Sequence, residues 1–254
     1  MSSSSVTIRT PDGEADAYVA FPEGAGPWPA VLLYMDGVGL RPALYEMADR
    51  LAARGHFVLL PNMYYRSGAY APFDARSVFG GGPELERLTA LAVAADDAGA
   101  MRDTEAFLLY LAERPEVVPG ALACVGYCFG GGLAMRAACD FPDRFRVAAS
   151  FHGGRFLVTP AAPDELASKA RARIYIGVAE VDRRHTPEIT ERLTRALAAG
   201  RAPHRIEIYR GASHGFAIRD LPVYDEEAAE RHWERLFELL DGAFERGAAR
   251  PADG

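Results

Sequence analysis

The chain has 254 residues and a formal net charge of −7 at pH 7, and 49% of its residues are hydrophobic. This length fits one large domain or two small ones, and the composition is that of a folded globular protein and not of a disordered one. The acidic balance argues against a nucleic-acid partner, because nucleic-acid binding needs a concentrated basic surface. No apolar run approaches the roughly eighteen residues of a membrane span, which argues against a membrane protein.

The chain alternates short apolar runs with longer amphipathic segments, which is typical of an α/β fold with a mostly parallel sheet flanked by helices. An antiparallel edge strand or hairpin is expected over residues 14–21. Further strands are expected over residues 30–35, 57–60, 121–125, 147–151, 174–178 and 206–209. Helices are expected over residues 42–54, 97–113, 130–139, 187–199 and 226–244. Without a repeat or a linker-like stretch, we predict one domain over residues 6–246 with frayed tails at 1–5 and 247–254.

Residues 62–91 interrupt this alternation with several aromatic residues, three arginines and the triplet Gly80-Gly81-Gly82. A long irregular insertion after a strand is more often an active-site wall than a core element. The triplet lacks the Lys-Ser/Thr ending of a phosphate-binding loop, so we interpret it as a flexible turn.

The three cysteines lie in one short stretch, at positions 124, 128 and 139, and an odd number cannot all pair. This arrangement is unlike the disulfide framework of a secreted protein. The N-terminal Met-Ser-Ser-Ser-Ser also lacks the charged and apolar regions of a signal peptide. We therefore expect a cytoplasmic protein with reduced thiols, as a monomer or a homodimer.

The segment Gly126-Tyr127-Cys128-Phe129-Gly130 stands between a strand and a helix. It has the form of a nucleophile elbow, G-x-S-x-G, with cysteine in place of serine. Such a turn exposes the side chain at the carboxyl edge of the sheet, over a helix N-terminus that favours a thiolate. We predict that Cys128 is the nucleophile and that Cys124 and Cys139 are buried small apolar side chains.

A nucleophile elbow needs an acid and then a histidine, in that order along the chain. His214 follows the strand at 206–209 by a short turn, which places it at the same edge as Cys128, so we predict that His214 is the base. His152 also ends a strand, but it precedes the acid and is expected to line the pocket. The remaining histidines stand at the wrong end of a strand, on the last helix, or too close to the acid.

The acid is expected after the strand at 174–178, where both Glu180 and Asp182 are available. Asp182 is favoured because it is shorter and lies further into the loop, and Glu180 is the alternative. Either carboxylate could instead form an ion pair with a neighbouring arginine. A zinc site made by His152, His185 and Asp182 has no close ligand pair to support it, so no metal is predicted.

The oxyanion hole is expected to combine the backbone N–H of Phe129 with that of Gly37, in the loop after the strand at 30–35. Asp36 precedes Gly37 and has two possible roles. It is either a carboxylate that acts beside the thiol or a residue that braces the loop.

The chain resembles the dienelactone hydrolase family, cysteine-dependent members of the α/β-hydrolase fold. The resemblance covers about residues 16–240 and is carried by the segments 61–66, 126–131 and 209–216, by Asp182, and by the His232-Trp233 pair on the last helix. It implies a Cys–His–Asp triad that opens a small lactone or another activated ester through a thioester, without a cofactor. The implied partner is this small-molecule substrate.

Two positions differ from the best-known members of this family. Those members carry glutamate where this chain has Asp36. They also carry arginine four residues past the catalytic histidine, where this chain has Ile218 followed by Arg219. Arg66 and Arg76 in the insertion are therefore candidate partners for an anionic substrate. The predicted substrate pocket comprises Asp36, Tyr64, Arg66, Arg76, His152, Phe216 and Arg219.

Two alternatives to a lactone hydrolase stay open at this point. A general carboxylesterase or thioesterase would use the same residues on another substrate. A relative that binds a ligand or senses redox state would keep the reactive thiol but lack turnover.

Overall fold

Eight strands form one sheet in this computed structural model, which describes residues 1–244 except for the side chain of Arg155. The strands are Ser2–Thr10 (β1), Gly13–Phe21 (β2), Trp28–Tyr34 (β3), Phe57–Pro61 (β4), Val117–Tyr127 (β5), Val147–Phe151 (β6), Arg173–Val181 (β7) and His204–Ser213 (β8). Their order in the sheet is β1-β2-β4-β3-β5-β6-β7-β8. Strands β3 to β8 run parallel, whereas β2 pairs antiparallel with both β1 and β4. The carboxyl ends of six strands therefore meet at one edge, and the expected α/β fold is confirmed.

Eight α-helices connect and flank these strands within the described residues. They are Pro42–Ala53 (α1), Ala75–Gly80 (α2), Pro83–Ala94 (α3), Asp97–Ala112 (α4), Phe129–Asp140 (α5), Ala162–Lys169 (α6), Pro187–Ala199 (α7) and Glu226–Phe244 (α8). The predicted bounds of α7 and α8 agree with the structure, because each helix has clear sequence limits and a regular apolar face. Leu193 and Leu197 are the buried side chains of α7, one helical turn apart.

Strand β5 shows how the sheet comes to lie between two layers of helices. Successive side chains of a strand point to opposite faces, so Cys124 and Tyr127, three residues apart, face different layers. The Cys124 thiol lies 3.3 Å from the carbonyl oxygen of Ala134 in α5. The Tyr127 hydroxyl lies 2.8 Å from His232 Nε2 in α8. Because both faces are covered, the strand consists of apolar residues at its carboxyl end, where it leads into the elbow.

Two expectations about local structure are wrong. Residues 2–5 do not fray but start β1 and pair with residues 18–21 of β2; a run of serines has no apolar alternation to reveal this pairing. The insertion at 62–91 is not irregular throughout, because it contains α2 and most of α3. The turn between these helices does use the glycine triplet, and Gly81 and Gly82 have φ angles of +84° and +73°, which favour glycine.

The domain predicted over residues 6–246 ends two residues beyond the described part of the chain, and the whole predicted tail at 247–254 lies outside it. The N-terminal limit of 6 falls inside β1. Among the helices within residues 1–244, none combines the length and the apolar character needed to span a bilayer.

Candidate active site

Cys128 occupies a strained turn between β5 and α5. Its backbone angles, φ 51° and ψ −115°, lie in a region that residues other than glycine rarely adopt. Glycines on both sides make the turn possible, since a Cβ at Gly126 would lie 2.0 Å from the carbonyl oxygen of Gly130. A Cβ at Gly130 would in turn lie 2.4 Å from the carbonyl oxygen of Met35. The turn therefore depends on both glycines and lifts the half-buried Cys128 thiol out of the strand at the carboxyl edge.

The structure brings Cys128, His214 and Asp182 together from three different strand ends. His214 Nε2 lies 3.0 Å from Cys128 Sγ, and His214 Nδ1 lies 2.6 Å from Asp182 Oδ2. The second oxygen of Asp182 accepts a hydrogen bond of 2.9 Å from the backbone N–H of Arg184. This is the geometry of a nucleophile, a base and an orienting acid.

The alternative acid, Glu180, points elsewhere. Its carboxylate forms an ion pair with Arg210 and accepts a hydrogen bond of 2.8 Å from the backbone N–H of Gly211. Glu180 lies within β7 and Asp182 directly follows the strand, and of the two only Asp182 contacts His214.

The charges around His214 favour its protonated form. Burial favours the neutral ring, but the attraction of Cys128 and the hydrogen bond to Asp182 outweigh it and raise the pKa of His214 to about 10. Burial raises the pKa of Asp182, but the hydrogen bond to His214 outweighs burial, so the pKa of this carboxyl is lowered. The ring is thus placed to take the proton of the Cys128 thiol and to hold it between two acidic groups.

The backbones of the two predicted oxyanion donors, Gly37 and Phe129, approach each other at the cleft that Cys128 lines. Phe129 is the first residue of α5, where backbone N–H groups point out of the helix start. A Cβ at Gly37 would lie 3.9 Å from the Cβ of Phe129, so the two backbones approach closely. Gly37 and Cys128 line the same cleft, and the Tyr64 hydroxyl donates a hydrogen bond of 2.8 Å to the Gly37 carbonyl oxygen. Tyr64 therefore supports the loop and is not itself among the residues that line the cleft.

The Asp36 side chain, which also lines this cleft, braces its own loop. It accepts a hydrogen bond of 3.0 Å from the backbone N–H of Val38 and forms two hydrogen bonds, of 2.7 and 2.9 Å, with the guanidinium of Arg41. These contacts favour the bracing role over the direct role beside the thiol.

The arginines proposed for anion binding do not reach the cleft. Arg66 binds the fully buried Asp103 at 2.6 Å and Asp12 at 2.7 Å, so carboxylates of the chain itself occupy its guanidinium. Arg76 and Arg219 are exposed, and neither is among the residues that line the cleft.

His152 and Phe216 lie behind the triad and not in the cleft. Both are buried, and the His152 ring lies 5.2 Å from the His214 ring and 5.3 Å from the Phe216 ring. They pack against each other and behind the His214 ring instead of lining the cleft. No group of three or more histidine, cysteine, aspartate or glutamate side chains within residues 1–244 is arranged to hold a metal ion.

The insertion at 62–91 forms one wall of the cleft, as expected, but the apolar side chains that line it were not predicted individually. The cleft volume of about 440 Å³ is in the range of small-molecule sites. Most of the apolar side chains that line it come from the α2–α3 insertion, from the last residue of β7 and from the segment after β8: Val78, Phe79, Leu85, Leu88, Val181 and Leu221. Arg183 and Arg184 also line it, and neither guanidinium has an ion pair within the described part of the chain. The spacing of Leu85, Leu88 and Leu91 is the helical signal that could have revealed this wall.

The chain is similar in sequence to known hydrolases. The sequence model of the dienelactone hydrolase family matches residues 15–244. A Synechocystis sp. protein, provisionally named a carboxymethylenebutenolidase, is 26% identical over 244 residues, which cover 92% of this chain and 94% of that protein. A Bradyrhizobium sp. protein, provisionally named a 2-oxo-3-(5-oxofuran-2-ylidene)propanoate lactonase, is 25% identical over 243 residues and is covered to 92%, as is this chain.

The fold is also shared with solved structures. A Klebsiella pneumoniae structure, provisionally named a dienelactone hydrolase, superposes with a TM-score of 0.80 at 23% identity, covering 94% of this chain and 98% of that one. Because the family match includes the whole parallel sheet and all three residues that meet at its edge, this chain belongs to the dienelactone hydrolase family of hydrolases.

Proposed function

We propose that this chain opens small lactones or activated esters, with Cys128 as nucleophile, His214 as general base and Asp182 as the acid that orients it. The observation that carries the proposal is the continuous contact from Cys128 Sγ through His214 to Asp182, at 3.0 and 2.6 Å. The names of the relatives in Synechocystis and Bradyrhizobium support a lactone as the substrate.

The proposed reaction has two halves. The Cys128 thiolate attacks the carbonyl carbon, and the resulting oxyanion accepts hydrogen bonds from the backbone N–H groups of Gly37 and Phe129. The C–O bond of the ring then breaks, and the leaving enolate oxygen takes the proton from His214, which leaves a thioester on Cys128. His214 next removes a proton from water, which attacks the thioester and releases Cys128 as a thiolate. Each step uses groups of one chain and water, so the proposal needs no cofactor and no second subunit.

A second candidate, a general carboxylesterase or thioesterase, is favoured by the apolar wall. Phe79 and Leu85 keep exposed fractions of 43% and 42% at the cleft, an arrangement that suits an apolar acyl or alcohol group. The guanidinium groups of Arg183 and Arg184, which have no ion pair with the residues that the structure describes, would suit an anionic group on the same substrate. The two candidates share one mechanism and differ only in the ester that is hydrolysed fastest.

Steady-state kinetics with dienelactone and with the p-nitrophenyl esters of acetate, butyrate and octanoate would separate the candidates. Cys128→Ala is expected to lower kcat/KM by at least about 10³-fold on every substrate, because the nucleophile is lost. Cys139→Ala removes a buried thiol away from the cleft and is the matched control, which should keep wild-type kinetics. Full activity of Cys128→Ala would refute the proposal.

A protein that only binds a ligand or senses redox state would give another result. None of these esters would be hydrolysed by the wild type, while Cys128 would still be alkylated rapidly and oxidised reversibly.

We propose the cytoplasm as the place of action, since all three cysteines are free thiols, and reducing conditions keep such a nucleophile active.

A further inference from the structure

Arg41, the residue before helix α1, uses every N–H of its guanidinium group. Nη1 and Nη2 donate to the two oxygens of Asp36 at 2.7 and 2.9 Å, and Nη1 also donates to the Gly39 carbonyl oxygen at 3.0 Å. Nε and Nη2 donate to the two oxygens of Asp220 at 2.7 and 3.0 Å. These five hydrogen bonds exhaust the donors of an arginine side chain.

This contact is buried at Arg41 and at Asp36, which lines the cleft, and exposed at Asp220. The exposed fractions of the side chains are 2% for Asp36, 8% for Arg41 and 38% for Asp220. Burial lowers the pKa of Arg41, but the two carboxylates outweigh burial and raise this pKa, so the guanidinium stays protonated. A buried carboxylate without such a partner would be unfavourable, and beside a thiolate it would also repel the nucleophile.

The contact joins the two loops that carry opposite parts of the proposed chemistry. Asp36 directly precedes Gly37, the proposed oxyanion donor, in the loop after β3. Asp220 lies six residues after the base His214, in the segment after β8 that continues to Leu221 in the cleft wall. Strands β3 and β8 are separated by three others in the sheet, so sheet pairing alone does not set the distance between these loops.

We propose that Arg41 is a positioning residue that fixes the Asp36–Gly37 loop against the His214–Leu221 segment. It keeps the proposed oxyanion donor and the proposed base at their working separation, and it neutralises Asp36, which lines the same cleft as Cys128. This inference rests on the proposed function for its effect on turnover, but the joining of the two loops can be measured without a substrate.

Lysine is the informative replacement, because it keeps the positive charge but has three donors on one nitrogen and cannot bridge two carboxylates as a planar fork. Arg41→Lys is expected to lower kcat by about 10- to 100-fold, with KM within about threefold, because small displacements of reacting groups are that costly. The pH midpoint of Cys128 alkylation by iodoacetamide is expected to stay in place in Arg41→Lys. It should move to higher pH in Arg41→Gln, where the charge that balances Asp36 is lost.

Asp220→Asn weakens only the partly exposed half of the contact and guards against a misfolded Arg41 variant. It should lower kcat in the same direction, and Arg41→Lys/Asp220→Asn should cost no more than Arg41→Lys alone, because both changes break one network. Hydrogen exchange of the peptides covering 36–40 and 214–221 should become faster in both single variants, and this readout needs no turnover.

Arg50→Lys is the matched control, because Arg50 also binds a carboxylate through two hydrogen bonds, to Glu230, but on the exposed surface away from the cleft. It should leave kcat, alkylation and exchange unchanged. Wild-type kcat in folded Arg41→Lys and Asp220→Asn, or exchange that rises in one loop only, would overturn the inference. If the wild type hydrolyses no ester, the proposed function fails, and coupled exchange of the two loops still decides whether Arg41 joins them.

Discussion

Replacing Cys128 by glycine is expected to give a more stable protein than replacing it by alanine. Both variants lose the thiol and its contact with His214, so they differ only in the Cβ atom and in backbone freedom. At φ 51° and ψ −115°, a residue with a Cβ costs about 1–3 kcal/mol, a strain that glycine relieves. Glycine adds freedom to the unfolded chain, which costs about 0.4–1 kcal/mol. The expected balance is about 1 kcal/mol in favour of Cys128→Gly, or roughly 2–4 °C in Tm for a domain of this size.

Urea and thermal unfolding of the two variants, followed by circular dichroism, would measure this difference. Ala106→Gly is the control, because Ala106 lies in the interior of α4 with ordinary helical geometry. There the change from alanine to glycine should cost about 1 kcal/mol, the opposite sign from position 128. If Cys128→Gly is no more stable than Cys128→Ala, the backbone at the elbow is not strained and the reasoning is refuted.

Three further predictions concern the residues around the elbow. Gly130→Ala is expected to prevent normal folding or to abolish activity, because its Cβ would lie 2.4 Å from the Met35 carbonyl oxygen; a soluble variant with wild-type kcat would contradict this. Asp182→Asn is expected to lower kcat by about 10²–10⁴-fold, because the amide neither holds the His214 tautomer nor stabilises its charge, and a loss under threefold in the ester assay would count against that role. The pKa of His214 is raised to about 10, so its charged ring stabilises the folded state fully below pH 6.5, and this contribution is lost as the pH rises through 10. The difference in unfolding free energy between the wild type and His214→Gln should therefore shrink from pH 6 to pH 10 in urea titrations, and a constant difference would contradict the assignment.

The sequence was most informative where one physical requirement dominates. Strand β6 has the predicted bounds, 147–151, because a strand covered on both faces must be a continuous apolar run. The meeting of Cys128, Asp182 and His214 was predictable because the carboxyl ends of parallel strands share one edge. The succession of strands and helices along the chain is enough to place these three residues at the same edge.

The contacts of long side chains were not predictable in this way. Arg66 was expected to bind substrate, but its guanidinium is bound to Asp103, 37 residues further along the chain. Arg41 was not singled out at all, because its partner Asp220 lies 179 residues away. An arginine can pair with any carboxylate that the fold brings near it, and sequence periodicity carries no information on such distant pairs.

The insertion that forms α2 and α3 supplies side chains to the cleft wall but none of the three residues of the proposed reaction. Its side chains Phe79, Leu85 and Leu88 face the cleft, whereas the reacting groups come from the ends of β5, β7 and β8. The glycine triplet forms the turn between the two helices. If the proposed function holds, changes in residues 78–88 are expected to alter which ester enters while the contacts of Cys128, His214 and Asp182 stay intact. This segment is then the place at which the protein can acquire, or be given, a new substrate.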